Sequence, residues 1–204
     1  MIIRTEQLSK RFNKEWVFKN LSEKFTSEET IAILGPNGSG KSTLLQILWG
    51  QTVPTSGTIT WSLNEQEVDP TELHQHLTIA APYQDLIDEF TLLEQIDFHF
   101  SFKRIKNGIS RKNFISALFL EGAERKRIEN FSSGMRQRLR LGLALYSEAK
   151  ITFLDEPTTN LDERGGNWYR QLLAETNNRL LFIATNTPSD YPENCRTIRM
   201  DHFK

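Results

Sequence analysis

Gly35-Pro36-Asn37-Gly38-Ser39-Gly40-Lys41-Ser42 fits the pattern G-x-x-x-x-G-K-[ST]. Its flanks give the pattern meaning. Thr30-Ile31-Ala32-Ile33-Leu34, just before it, is a short apolar run with β-branched residues and reads as a buried strand. From Ser42 to Trp49, apolar Leu44, Leu45, Ile47 and Leu48 precede Gly50, which reads as a helix with a glycine stop. Glycines let the turn between strand and helix close tightly, so that its N–H groups point inward at phosphate oxygens. The helix adds its positive N-terminal end. Lys41 supplies a mobile charge for β- and γ-phosphates, and the Ser42 hydroxyl can ligate Mg²⁺. At ordinary residue frequencies, a chance match in a chain this long has odds of about one in a hundred.

A second segment, an acidic one, complements the first. Ile151-Thr152-Phe153-Leu154 is an apolar strand that runs into Asp155-Glu156. Ligands of open α/β sheets sit at the carboxyl ends of strands. Asp155 is therefore expected to face a metal ion at Ser42, and Glu156 to polarise a water aimed at the γ-phosphate.

Around these segments, Met1 to Leu8 and Trp16 to Phe25 read as strands, the latter as one or two. Thr58 to Trp61, Leu77 to Ala80 and Leu180 to Ala184 follow as further strands, and Glu163 to Asn177 as a helix. Between about Glu89 and Asn130 strand-like runs vanish and helical spacing takes over, as at Leu92, Leu93, Ile96 and Phe100. Strands alternating with helices imply a parallel sheet in an α/β core, here with a helical lobe.

The chain has 204 residues, 38% hydrophobic and 25% charged, a profile that argues against a disordered chain. Its 25 Lys and Arg against 26 Asp and Glu leave a net charge of -1, without the basic surplus usual for nucleic-acid binding. Cys195 is the only cysteine, so no internal disulfide can form. No apolar run reaches the ~20 residues of a membrane span. The N-terminus turns polar too soon for a signal peptide, so the chain is expected in the cytoplasm.

The residues after Glu156 carry a more specific resemblance. Strand, Asp155-Glu156-Pro157-Thr158, then Asn160-Leu161-Asp162 resembles the Walker B segment and D-loop of the ABC ATPase family. Upstream, Phe131-Ser132-Ser133-Gly134-Met135 resembles that family's LSGGQ signature, with Ser132 and Gly134 kept and three positions changed. The resemblance runs from about Ile2 to Met200. It implies one nucleotide-binding domain over 1–204: a P-loop NTPase parallel-sheet core, an N-terminal antiparallel β subdomain and an inserted helical lobe at about 89–145.

The resemblance also implies roles. Gly35, Pro36, Asn37, Gly38, Ser39, Gly40, Lys41, Ser42 and Thr43 would hold ATP, with Mg²⁺ at Ser42 and Asp155. Ser132 and Gly134, at a helix start, would cover the γ-phosphate held by an opposite subunit. The active pair would be a homodimer, or a heterodimer with another such subunit. Phe12 best matches the position of the ring that stacks on adenine, with Trp16 second. Gln84 is favoured as the Q-loop residue near Mg²⁺ and the γ-phosphate, although Tyr83 occupies the expected place. Glu156, Lys41, Gln84 and Asn186 would serve catalysis. The family usually has His where Asn186 stands, and an amide cannot carry a positive charge.

The implied function is to power a membrane transporter through separate transmembrane permease subunits, at the inner face of the membrane. The alternatives are a soluble ABC ATPase or a slow ATP-gated switch acting on a non-membrane partner. Nucleic acid is not expected as a partner. The only hint of it is the basic cluster Lys103, Arg104, Lys106, Arg111 and Lys112.

Overall fold

The computed structural model describes residues 1–204, the side chain of Asn107 apart. The chain forms two compact units. The first holds Met1–Leu77, Ala149–Glu156 and Asn177–Lys204; the second holds Thr78–Glu148 and Pro157–Thr176. The helical subdomain expected at about 89–145 falls inside the second.

The first unit opens with two long antiparallel strands, β1 (Ile2–Phe12) and β2 (Glu15–Phe25). β1 runs four residues beyond the strand read from sequence, and Glu15–Phe25 is one strand, not two. After β3 (Thr30–Leu34) and α1 (Lys41–Leu48) come β4 (Ser56–Leu63) and the two-residue β5 (Gln66–Glu67). These build an antiparallel sheet of order β2-β1-β4-β5. A short helix, α2 (Leu73–His76), leads to β6 (Leu77–Ala80), along which the chain leaves this unit.

The parallel layer is made by β3 with three later strands, β7 (Ile151–Asp155), β8 (Leu180–Thr185) and β9 (Arg196–Arg199). β8 lies between β7 and β3, and β9 pairs with the other edge of β3. Every residue of β7 and β8 is buried, as strands covered on both faces must be, and this explains their unbroken apolar runs. Phe153 and Phe182 stack at 5.1 Å, and Phe25 meets Phe182 edge-on at 5.0 Å. β9 escaped the sequence reading because only Ile198 of its four residues is buried.

The second unit is helical. It contains α3 (Leu92–Phe102), α4 (Arg111–Ala117), α5 (Ser133–Leu145) and α6 (Glu163–Ala174). The starts are set by local chemistry. Thr91 and Glu94 form a reciprocal capping box on α3, while Ser110, Ser132 and Asp162 each accept a backbone N–H at the start of α4, α5 and α6. Leu92, Ile96, Phe114, Leu118, Leu139 and Tyr169 are fully or almost fully buried in this unit.

Candidate nucleotide site

Parallel strands that run in register end together. Leu34 pairs with Thr185, and Asp155 with Ala184. The next residues, Gly35, Asn186 and Glu156, therefore leave the sheet along one edge, at its carboxyl end. Sequence distance has become proximity through strand pairing alone.

The turn from β3 to α1 needs glycine at two points. Gly35 has φ +151°, and a Cβ there would lie 2.6 Å from the Ser39 Oγ. Gly40 has φ +102°, and its Cβ would lie 2.4 Å from Val17 Cγ1 on β2. Both positions combine strained φ with missing space. Ser39 N donates to the Pro36 carbonyl at 3.0 Å, closing the turn. The Ser39 hydroxyl is buried and makes no hydrogen bond among the described residues.

Lys41 is only 6% exposed. Its ammonium donates to the Gly35 carbonyl at 2.9 Å and lies 3.3 Å from Glu156 Oε1. The two groups expected to act on phosphate and on water are thus paired with each other. Glu156 has φ +48°, a left-handed conformation that turns its side chain off the line of β7, and its N–H donates to the Ala184 carbonyl at 2.8 Å. Burial pushes its carboxyl above the ordinary 4.5; Lys41 pulls the other way, and Asp155 and Asp190 add to the rise.

Asp155 is 1% exposed at the end of β7. A carboxylate and the Ser42 hydroxyl are hard oxygen donors. They suit Mg²⁺, which keeps several waters and takes phosphate oxygens instead of an all-protein cage. Among the described residues no group of three or more His, Cys, Asp or Glu could hold a metal ion.

Asn186 Nδ2 donates to Asn37 Oδ1 at 3.2 Å, so the residue that follows β8 touches the turn between β3 and α1. Phe12 and Trp16 both line a groove of about 640 Å³ with Val17 and Gly38. Each ring is substantially exposed, and Lys10 Nζ lies 4.8 Å from the Phe12 centroid. The groove therefore holds both aromatic candidates.

Gln84, Ser132 and Gly134 belong to the second unit. Gln84 is exposed on a loop, and its backbone carbonyl accepts from Arg140 Nε at 3.0 Å. Tyr83, its neighbour, is also exposed. Ser132 is the N-cap of α5, its Oγ accepting from Met135 N at 3.2 Å. A Cβ on Gly134 would come within 3.1 Å of the Asn160 carbonyl, so the loop after Pro157 lies close over the start of α5.

Sequence reasoning missed two residues that build this end of α5. Gln137 is buried, and its Nε2 donates to the Pro157 carbonyl at 2.7 Å. The available signal was a lone amide on the apolar face shared with Leu141 and Leu145. Arg136 pairs with Asp88 at 2.5 Å, a contact between distant segments that no local pattern marks.

The ABC transporter family model matches residues 18–159. The uncharacterized ABC transporter ATP-binding protein YybJ of Bacillus subtilis is 30% identical, covering 98% of this chain and 93% of its own length. The spermidine/putrescine import ATP-binding protein PotA of Mycoplasma mycoides is 31% identical over 79% of this chain, which spans about half that relative's length, 46%. The solved dimeric structure of a bacterial ABC transporter cassette superposes with a TM-score of 0.78 at 23% identity, covering 97% of this chain and 94% of that one. That likeness shows the fold: a parallel P-loop core with an antiparallel sheet and a helical part. On the family match and the near full-length relative together, this chain belongs to the ABC transporter family.

Proposed function

We propose that this chain is an ATP-binding, ATP-hydrolysing subunit that powers an ABC membrane transporter, and that it works as half of a pair closed around two ATP molecules. One observation carries the reading above the others: Lys41 and Glu156 meet at 3.3 Å beside a turn that only glycine can make. An ammonium for phosphate and a carboxylate for water thus share one rim.

When triphosphate enters, Lys41 exchanges the Gly35 carbonyl and Glu156 for phosphate oxygens. Backbone N–H groups of the turn between Asn37 and Thr43 hold the rest, and Phe12 or Trp16 takes the base in the groove. Glu156, released, orients and deprotonates the attacking water. Ser42 and Asp155 would hold Mg²⁺, which when bound would supply neutralisation of the phosphate charge. Ser132 and the N–H groups at the start of α5 cover the γ-phosphate of the opposite subunit.

The partners are a second such subunit and separate transmembrane permease proteins, which place the chain at the inner membrane face. Among the described residues no helix is long and apolar enough to cross a membrane. The test is phosphate release from ATP by the purified chain, beside Lys41→Ala and Glu156→Gln. Lys41→Ala should lose ATP affinity. Glu156→Gln should bind ATP, persist as a dimer and turn over about 10²–10⁴-fold more slowly. Parent-like turnover in both variants would reject the reading.

A second reading, a slow ATP-gated switch, draws on Asn186 alone. It requires that parent and Glu156→Gln hydrolyse equally slowly while both dimerise with ATP.

A further inference from the structure

Asn186 stands where the family resemblance implies histidine, and side chains engage both ends of its amide. Its Nδ2 donates to Asn37 Oδ1, a residue 149 positions earlier in the phosphate turn. Its Oδ1 accepts from Thr187 Oγ1 at 3.4 Å. Both ends of the amide are therefore engaged, and one N–H remains without a partner among the described residues.

The loop beneath is anchored as well. Thr187 N donates to Thr185 Oγ1 at 2.9 Å, and that hydroxyl donates to Asp190 Oδ2 at 2.6 Å. Asp190 N closes the ring by donating to the Thr187 carbonyl at 3.1 Å. Thr185 and Asp190 are buried, whereas Asn37 and Asn186 lie exposed at the rim. The backbone is thus fixed from below, but the Asn186 side chain has only Asn37 and the neighbouring Thr187 to hold it. An exposed amide without such a partner samples several rotamers. Histidine can add charge at this position; a neutral amide has direction only, so whatever sets its direction sets its usefulness.

We propose that Asn37 is a positioning residue for Asn186: its side-chain carbonyl holds the amide so that the remaining N–H is presented to the γ-phosphate in the turn. This rests on the ATPase reading above. Asn37 then acts on the chemical step through Asn186, beyond any contact of its own backbone with phosphate.

The experiment is a double-mutant cycle on steady-state ATP hydrolysis by Asn37→Ala, Asn186→Ala and the pair. Asn37→Ser, too short to reach Asn186, serves as a second disruption should the alanine variant misfold, and thermal melts check folding. Loss of one oriented hydrogen bond predicts a kcat lower by about three- to tenfold in each single variant, with KM for ATP within about twofold. The double variant should be no slower than Asn186→Ala, because Asn37 has nothing left to position. The proposal is overturned if either Asn37 variant keeps parental kcat, if only KM rises, or if the two losses multiply. A parent whose hydrolysis is indifferent to Glu156→Gln overturns the ATPase reading and this one together. Glu156-dependent hydrolysis with independent Asn37 and Asn186 effects overturns this one alone.

Discussion

The Lys41 ammonium lies 3.3 Å from the Glu156 carboxylate, and each is tied into the sheet edge by a backbone group, Gly35 O for the lysine and Ala184 O for the glutamate N–H. The pair bridges the end of β3 and the end of β7 across the intervening β8. Lys41 is already buried beside a carboxylate, so binding triphosphate exchanges its partners for phosphate oxygens instead of creating a buried cation anew. The cost of orienting both groups is met on folding.

Glu156 gives a pH prediction with a definite sign. Its folded-state carboxyl is raised above 4.5, first by burial, so folding favours the protonated form. Its contribution to stability is fully present below the unfolded value and is lost as pH rises through the raised one. Without nucleotide, Glu156→Gln should therefore melt higher than the parent near pH 8, and the gap should close as pH falls toward about 4.5. Thermal melts across that range check it. A variant that melts lower near pH 8 would mean that the Lys41 contact outweighs burial.

What the sequence made legible is what neighbouring residues determine. The apolar run at β3, the glycine-rich turn and the stop at Gly50 each depend on local pattern, and β3 and α1 lie within one residue of the expected bounds. Asp155 was legible because it ends an unbroken apolar strand. The pairings were not. Asn186 with Asn37 and Gln137 with Pro157 depend on which strands and helices become neighbours, and no short window of sequence contains both partners. The extended β1 was also hidden, because its exposed half is polar and its apolar alternation breaks where the pairing with β2 shifts between Thr5 and Leu8.

The glycines of the turn should rank by space. A Cβ at Gly40 meets Val17 Cγ1 at 2.4 Å, on a branched side chain with little freedom to retreat, whereas Gly38 has open space and φ +77°. Gly38→Ala should cost about 1 kcal/mol from backbone strain alone. Gly40→Ala adds overpacking of about 1–3 kcal/mol and should shift the turn from β2, weakening ATP binding more. Denaturant melts and nucleotide titrations of the two variants test the order; equal losses would contradict the packing argument.

Restoring the family's residue should speed the chemistry. In Asn186→His, a charged imidazole makes a hydrogen bond to phosphate roughly twice as strong as a neutral one, worth about a tenfold gain in kcat. The gain should grow as pH falls through about 6.5, the ordinary value for histidine, and shrink above it. Rate measurements from about pH 5.5 to 8.5 would show it. An unchanged kcat at every pH would remove Asn186 from the reaction.

Ser132 has two separable tasks. Its Oγ accepts from Met135 N and so caps α5, while its hydroxyl proton remains available for a phosphate from the opposite subunit. Ser132→Ala removes both. The lost cap alone should cost about 1 kcal/mol, a fall of roughly 2–4 °C in Tm for a chain of this size. Ser132→Asp keeps an acceptor of equal capping strength but sets a carboxylate against the γ-phosphate. It should melt like the parent and yet fail to dimerise with ATP. Size-exclusion chromatography in the Glu156→Gln background, where the closed pair should persist, reads that outcome directly. If Ser132→Asp dimerises with ATP as well as its parent does, the serine is a helix cap and nothing more, and the shared active site across two subunits falls with it.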